Sequence, residues 1–190
     1  MKYIFLFFTS ILFAQQTKYV DFKSVSAQLT LNPKEKMVSG TVDFQFDVLQ
    51  DIDTISLDAK NMGFSNVKID EKEIMFINTN KELKLIFPFK KGQNHLTFSY
   101  TAKPKQALYF VEMENDEVQI WTQGQGRYTS NWFPSFDDVN EKLVFNLGIS
   151  YDVAYQVISN GILKEKTANG NLNHWQFQMQ NAMSSYLLML

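Results

Sequence analysis

The 190-residue chain has no cysteine, which excludes disulfides, thiolate zinc sites, a cysteine nucleophile and a lipid-modified N-terminal cysteine. Histidine is scarce: His95 and His174 are the only two, neither has a partner at i+4, and an H-E-x-x-H zinc helix is therefore missing. Both histidines sit in alternating segments and read as structural. Of 18 basic residues only Arg127 is an arginine, and 20 acidic residues bring the net charge to −2. A nucleic-acid binder needs a basic field to neutralise phosphates, so no nucleic-acid partner is expected. A membrane-spanning helix needs about 20 apolar residues. The one candidate run, Tyr3 to Phe13 after Lys2, is too short. It reads instead as the core of a signal peptide over residues 1–16, cleaved near Ala14 to Gln16, with export to the periplasm or the medium and no transmembrane anchor.

What the chain does have is apolar and aromatic content, 45% and 15% respectively. At this length a chain buries about 70% of its extended surface, enough for one domain with a core of its own. From Tyr19 onward the period is two. Val25, Ala27, Leu29 and Leu31 alternate with polar residues, as do Val42, Phe44, Phe46 and Val48. The same holds for Ile55, Leu57 and Ala59; Val67 and Ile69; Leu83, Leu85 and Phe87; Leu96, Phe98 and Tyr100; Leu143 through Ile149; and Trp175, Phe177 and Met179. Alternation of this kind marks strands with one buried face. Turn residues separate them at Asn32-Pro33, Lys91-Gly92, Ser159-Asn160-Gly161 and Ala168-Asn169-Gly170-Asn171. No dozen-residue window sustains helical apolar spacing. The expected fold is all-β, mostly antiparallel, a β-sandwich or saddle-shaped multi-sheet domain with little helix.

The alternation breaks between Glu117 and Asp138, where glycine, amide and aromatic residues take over. Gln123-Gly124-Gln125-Gly126 follows the strand-like pair Val118 and Ile120. Its glycines open backbone conformations and leave room for another chain or a ligand, or else mark a bulged strand end. It is not a phosphate loop, because no Lys-Ser/Thr pair follows. Trp132-Phe133-Pro134 is either a stacking platform for a sugar or part of the core. Asp137 and Asp138 point to opposite faces if they lie on a strand and share a site only in a turn, where capping of backbone amides is the ordinary role of one of them. Ser135 has no G-x-S-x-G elbow and no triad partners.

These segments resemble the N-terminal β domain of the gluzincin aminopeptidases, the family of aminopeptidase N and leukotriene hydrolase. Thr122-Gln123-Gly124-Gln125 is similar to the family's T-Q-x-[E/Q]. Phe133-Pro134-Ser135-Phe136-Asp137-Asp138, with Lys142 and Phe145, is similar to F-P-C-x-D-E-P-x-x-K-A-x-F. Ser159-Asn160-Gly161 and Met183-Ser184-Ser185-Tyr186-Leu187 match its S-N-[M/G] and P-M-S-T-Y-L segments, and residues 38–48 its early strand. Ser135 stands for Cys, Asp138 for Glu and Val139 for Pro, and the arginine usually found before F-P is missing. The resemblance spans about Val20 to Leu190.

The resemblance implies that residues 17–190 are the N-terminal domain of an exported zinc metalloaminopeptidase that removes N-terminal residues from peptides. G-x-M-E-N, H-E-x-x-H and the later Glu and Tyr are absent from the 190 residues. The expectation is therefore a truncated chain with no catalytic residue, no metal ligand and no cofactor of its own, zinc belonging to the intact parent enzyme. Gln125 takes the position that reaches into the substrate cleft and binds the peptide's free α-amino group. Gln123, Gly124 and Gly126 shape that wall, and Tyr128 lines it. The expected partners are a peptide N-terminus and the missing catalytic domain. The alternatives are a free-standing secreted β-sandwich module for carbohydrate or a protein partner, and a structural β domain of the same descent.

Overall fold

The computed structural model describes residues 16–114 and 117–190. Apart from Gln16, the expected signal peptide lies outside them. The strands in chain order are β1 (Val20–Asn32), β2 (Met37–Val48), β3 (Ile52–Asp58), β4 (Met62–Ile69), β5 (Lys72–Glu73), β6 (Met75–Asn78) and β7 (Glu82–Phe89). They continue with β8 (Gly92–Ala102), β9 (Leu108–Glu112), β10 (Val118–Thr122), β11 (Lys142–Asp152), β12 (Ile162–Asn169), β13 (Leu172–Gln178) and β14 (Met183–Ser184). The fold is all-β. Helical geometry among the described residues is confined to short 3-10 turns such as Thr129–Asn131 and Ser185–Leu187.

A nine-stranded sheet runs β12-β13-β11-β1-β2-β8-β4-β5, with β14 pairing β11. Its pairs are antiparallel except β1 with β11, which run parallel in the register Val25↔Phe145 and Leu29↔Ile149. A three-stranded sheet, β3-β7-β6, and the β9-β10 hairpin complete the domain. The period-two pattern explains the packing. Phe44 and Leu96 of the large sheet and Ile55, Leu57, Leu83 and Leu85 of the small one are all fully buried and join one core. Phe46 on β2 meets Phe89 on β7 at 6.1 Å between ring centroids, edge to face. Hydroxyl, amide and charged residues such as Ser26, Thr41, Asp43, Gln45, His95 and Thr97 stand on the other face of the large sheet.

The irregular segment between β10 and β11 is tied into this core. Trp132 and Phe133 are fully buried, and Phe136 packs on Phe22 with centroids 4.2 Å apart. Of the two readings of Trp132-Phe133-Pro134, the core is what the structure shows. Buried rings offer no face to a sugar. Among the described residues no helix is long and apolar enough to cross a membrane.

Candidate functional site

β10 ends at Thr122, and the amide of Gln123 still donates to the carbonyl of Ala107 at 2.8 Å. The chain then turns tightly. Gly126 (φ 91) and Arg127 (φ 68) take left-handed conformations, and the amide of Tyr128 donates to the Gly124 carbonyl at 3.2 Å. Left-handed backbone suits glycine and strains arginine. Arg127 is held there by Lys60, whose Nζ donates to the Arg127 carbonyl at 3.1 Å and to Asp137 Oδ2 at 2.9 Å. Ser130 Oγ donates to the same carboxylate oxygen at 2.8 Å. One ammonium and one carboxylate thus fasten the turn to the segment that follows it.

Gly124 is buried, and a Cβ there would strike the carbonyl oxygen of Tyr186 and stand 2.8 Å from Thr129 Oγ1. The room that this glycine opens is filled by the chain's own C-terminal segment. Gly126 lies outside, beneath the ring of Tyr128, whose Cε2 is 3.0 Å from where a Cβ would stand.

Further bonds join the motif segments. Thr129 Oγ1 donates to the Ser185 carbonyl at 2.9 Å and Ser184 Oγ to the Val139 carbonyl at 2.6 Å. Ser185 Oγ donates to the Phe136 carbonyl. Asn160 Nδ2 donates to the Leu187 carbonyl at 3.1 Å and its Oδ1 accepts from the Met189 amide at 2.7 Å. From the opposite side, Asp58 and Ser135 exchange backbone bonds at 2.9 and 3.0 Å, and Asp58 Oδ2 accepts from the Asp137 amide at 2.7 Å. Burial is the main force raising the Asp58 pKa; the amide bond from Asp137 opposes it, and the Asp137 charge adds to it.

The structure therefore brings Gln123, Gln125, Gly126 and Tyr128 together on one exposed turn, with Gly124 beneath them. Tyr128 keeps 44% of its surface exposed. Neither glutamine side chain bonds to the described residues, so both amides are free to meet a ligand. An amide oxygen accepts from an ammonium group without adding charge. Asp58, the last residue of β3, and Lys60, just beyond it, hold the turn and the segment after it; they escape a sequence reading because no periodicity or motif marks them.

The remaining candidates are structural. Asp138 Oδ1 caps the Asn140 amide at 2.9 Å, while Asp137 serves Lys60, so the adjacent carboxylates have separate partners. His95 Nε2 is 2.6 Å from Asp43 Oδ1, and His174 Nδ1 is 3.1 Å from Ser150 Oγ. Among the described residues no group of three or more His, Asp or Glu converges as metal ligands. They do not fit a zinc ion.

Residues 18–187 match the peptidase M1 N-terminal domain family. The chain belongs to that family. Its relatives include the probable aminopeptidase 1 of Sulfurisphaera tokodaii, 27% identical over 141 residues, which covers 74% of this chain and 18% of that protein. The aminopeptidase N of Lactobacillus helveticus is 24% identical over 169 residues, covering 85% and 20%. This M1 domain thus spans about a fifth of the length of the curated relatives that it matches. Among solved structures, the M1 zinc metallopeptidase of Deinococcus radiodurans superposes with a TM-score of 0.78 at 15% identity, over 90% of this chain and 41% of that one. Yeast LTA4 hydrolase superposes with a TM-score of 0.77 at 19% identity, over 95% and 31%. At such identities the superpositions establish the fold of the M1 domain, and the motif residues carry any closer likeness.

Proposed function

We propose that this M1 domain forms one wall of the substrate cleft of an exported zinc metalloaminopeptidase, and that Gln125 accepts a hydrogen bond from the α-amino group of the bound peptide. The observation that carries the reading is the exposed Gln125 amide on a turn held from two sides, by Lys60 and by residues 184–187. A rigid turn matters because an acceptor that is already placed loses little entropy on binding. An ammonium group entering a cleft gives up water, and a neutral amide oxygen replaces one of its acceptors. Gln123, Gly126 and Tyr128 shape the same wall. Gly124 acts from below by admitting the Tyr186 carbonyl. The zinc and the residues that activate water belong to the rest of the enzyme, and this chain supplies orientation of the substrate's N-terminus. Export rests on the Lys2 to Phe13 pattern, and N-terminal sequencing of the mature chain checks it by showing a start near residue 15 to 17.

The test joins this chain to the catalytic portion of the D. radiodurans M1 metallopeptidase, in place of that enzyme's own N-terminal domain. With Gln125→Ala, KM for a dipeptide amide should rise about tenfold and kcat/KM fall by as much, the worth of one hydrogen bond to a charged group. Unchanged kinetics would remove Gln125 from the site. The 190-residue chain alone, with zinc added, should release no N-terminal residue from peptides.

A further inference from the structure

Asn-Gly occurs twice in the chain, at Asn160-Gly161 and Asn169-Gly170, and the fold treats the two pairs in opposite ways. In such a pair no side chain on the glycine hinders the approach of its nitrogen to the asparagine carboxamide, and the glycine backbone turns freely. At the first pair that approach is closed. The Asn160 carboxamide is engaged by the backbone, Nδ2 donating to the Leu187 carbonyl at 3.1 Å and Oδ1 accepting from the Met189 amide at 2.7 Å. A Cβ on Gly161 would stand 2.5 Å from the Gln178 carbonyl oxygen, so this glycine is pressed against the end of β13. The second pair is open. Asn169 ends β12 and pairs with Leu172, which leaves Gly170 and Asn171 as a two-residue loop to β13. Gly170 takes the positive φ, 61, that the first position of such a loop favours, and a Cβ there would meet no atom within 4 Å. Both Asn169 and Gly170 are exposed. Among the described residues, neither the Asn169 carboxamide nor the Gly170 amide has a hydrogen-bond partner.

We infer that Asn169 is a modification site, at which the chain deamidates itself through a succinimide. The Gly170 nitrogen, once deprotonated, bonds to Asn169 Cγ; the Cγ–Nδ2 bond breaks, and Nδ2 leaves as ammonia. Water then opens the five-membered ring. Attack at Cγ gives aspartate, and attack at the backbone carbonyl gives isoaspartate, in which the main chain runs through Cγ. One water is taken up and one ammonia released, and water is the only co-reactant. Either product replaces a neutral amide by a carboxylate. Isoaspartate also adds a carbon to the main chain beside a loop of only two residues, which upsets the Asn169↔Leu172 rung. The tip of an edge hairpin is where local opening costs least, and that opening lets the ring form. The effect stays local. All eight residues of β12 are exposed, so loosening them takes nothing from the core, while Trp175 and Phe177 on β13 stay buried and paired with β11. The inference is independent of the substrate-cleft reading.

The test incubates the 190-residue chain at mildly alkaline pH in water enriched in heavy oxygen, once native and once in guanidinium, and follows its peptides by mass spectrometry. In the native chain, heavy oxygen should enter at Asn169 at least about tenfold faster than at Asn160, whose reaction must first break two hydrogen bonds. In guanidinium, where the fold no longer separates them, the two should react at similar rates. An isoaspartyl methyltransferase supplied with labelled S-adenosylmethionine should then mark the native peptide that carries residue 169 and not the one that carries residue 160. Amides of β12 should exchange faster in the modified chain while β1 and β2 keep their protection. Asn169→Gln, whose longer carboxamide closes a ring far more slowly, should take up no label at that position and should keep its β12 protection through the same incubation. An Asn169 that stays unlabelled in the native chain but reacts in guanidinium would overturn the inference. Equal native rates at Asn160 and Asn169 would overturn it as well, because the fold would then not be what selects the site.

Discussion

Glu141 gives this domain a pH dependence that a single substitution should abolish. It stands immediately before β11 with 6% of its surface exposed, and its Oε1 accepts the Phe22 amide at 3.0 Å. Burial pushes its carboxyl from the ordinary 4.5 up to about 7; the Phe22 amide pulls it down, Asp21 and Asp138 push it further up, and Lys23 opposes them. A raised folded-state pKa means that the native protein holds a proton which the unfolded chain has released. Stability from the neutral carboxyl is therefore complete below pH 4.5, declines as pH rises, and is lost above about 7. The gap between 4.5 and about 7 is worth about 3 kcal/mol. Glu141→Gln keeps an oxygen for the Phe22 amide and removes the titration. Urea unfolding followed by tryptophan fluorescence, to which the buried Trp132 and Trp175 report, measures both proteins from pH 4.5 to 8. The variant should match the wild type at the acid end and exceed it by about 3 kcal/mol at the alkaline end. Other carboxylates are common to both proteins and cancel in the difference. Glu141→Ala, which strips the Phe22 amide of its acceptor, should be weaker than the Gln variant at every pH. Parallel curves for wild type and Glu141→Gln would refute the buried-proton argument.

The clamp around the turn yields three more predictions. Gly124→Ala forces a Cβ against the Tyr186 carbonyl and should lower stability by about 1 to 3 kcal/mol, read as a fall in Tm. Lys60→Met leaves Asp137 without its cation and frees the Arg127 carbonyl, so amides 126–128 should exchange faster while strands β1 and β2 keep their protection; global stability should drop by about 1 to 3 kcal/mol. Trp132→Ala empties a fully buried site and should cost about 3 to 5 kcal/mol in the same urea assay.

How much of this was legible depends on whether burial alternates. Strands β1, β2, β3, β7, β8, β11 and β13 each show a buried face with period two, and each is recoverable from the residues alone. β12 is not, because all eight of its residues, from Ile162 to Asn169, are exposed. A strand at the sheet edge that buries neither face carries no periodic signal, and the Lys-Glu-Lys at its centre is what such an edge uses to discourage further pairing. β9 escaped for a related reason: only its first residue, Leu108, is fully buried. The parallel pairing of β1 with β11 lies beyond local pattern altogether, because it is set by core packing between segments more than a hundred residues apart in the chain. The large sheet's polar face and the absence of α-helix among the described residues, by contrast, follow directly from the alternation.

The irregular segments were legible only through resemblance, and their geometry explains why. Thr122 to Gln125, Phe133 to Asp138, Ser159 to Gly161 and Met183 to Leu187 have no periodicity, since none of them spans a two-sided surface. Each is shaped by the others. Gly124 has no side chain because the Tyr186 carbonyl occupies its place; Ser185 is small and hydroxylic because it lies buried between Thr129 and the Phe136 carbonyl; Asn160 supplies both a donor and an acceptor to the backbone at Leu187 and Met189. A substitution at any one of these positions alters a contact made by another motif, so the four segments behave as one structural unit scattered along the chain. That unit ends on its outer side in the exposed Gln125 turn, a few residues after Thr122. Loosening the clamp at Gly124 or Lys60 should therefore disturb both the turn and global stability, whereas Gln125→Ala, on the exposed side of the turn, should leave stability unchanged.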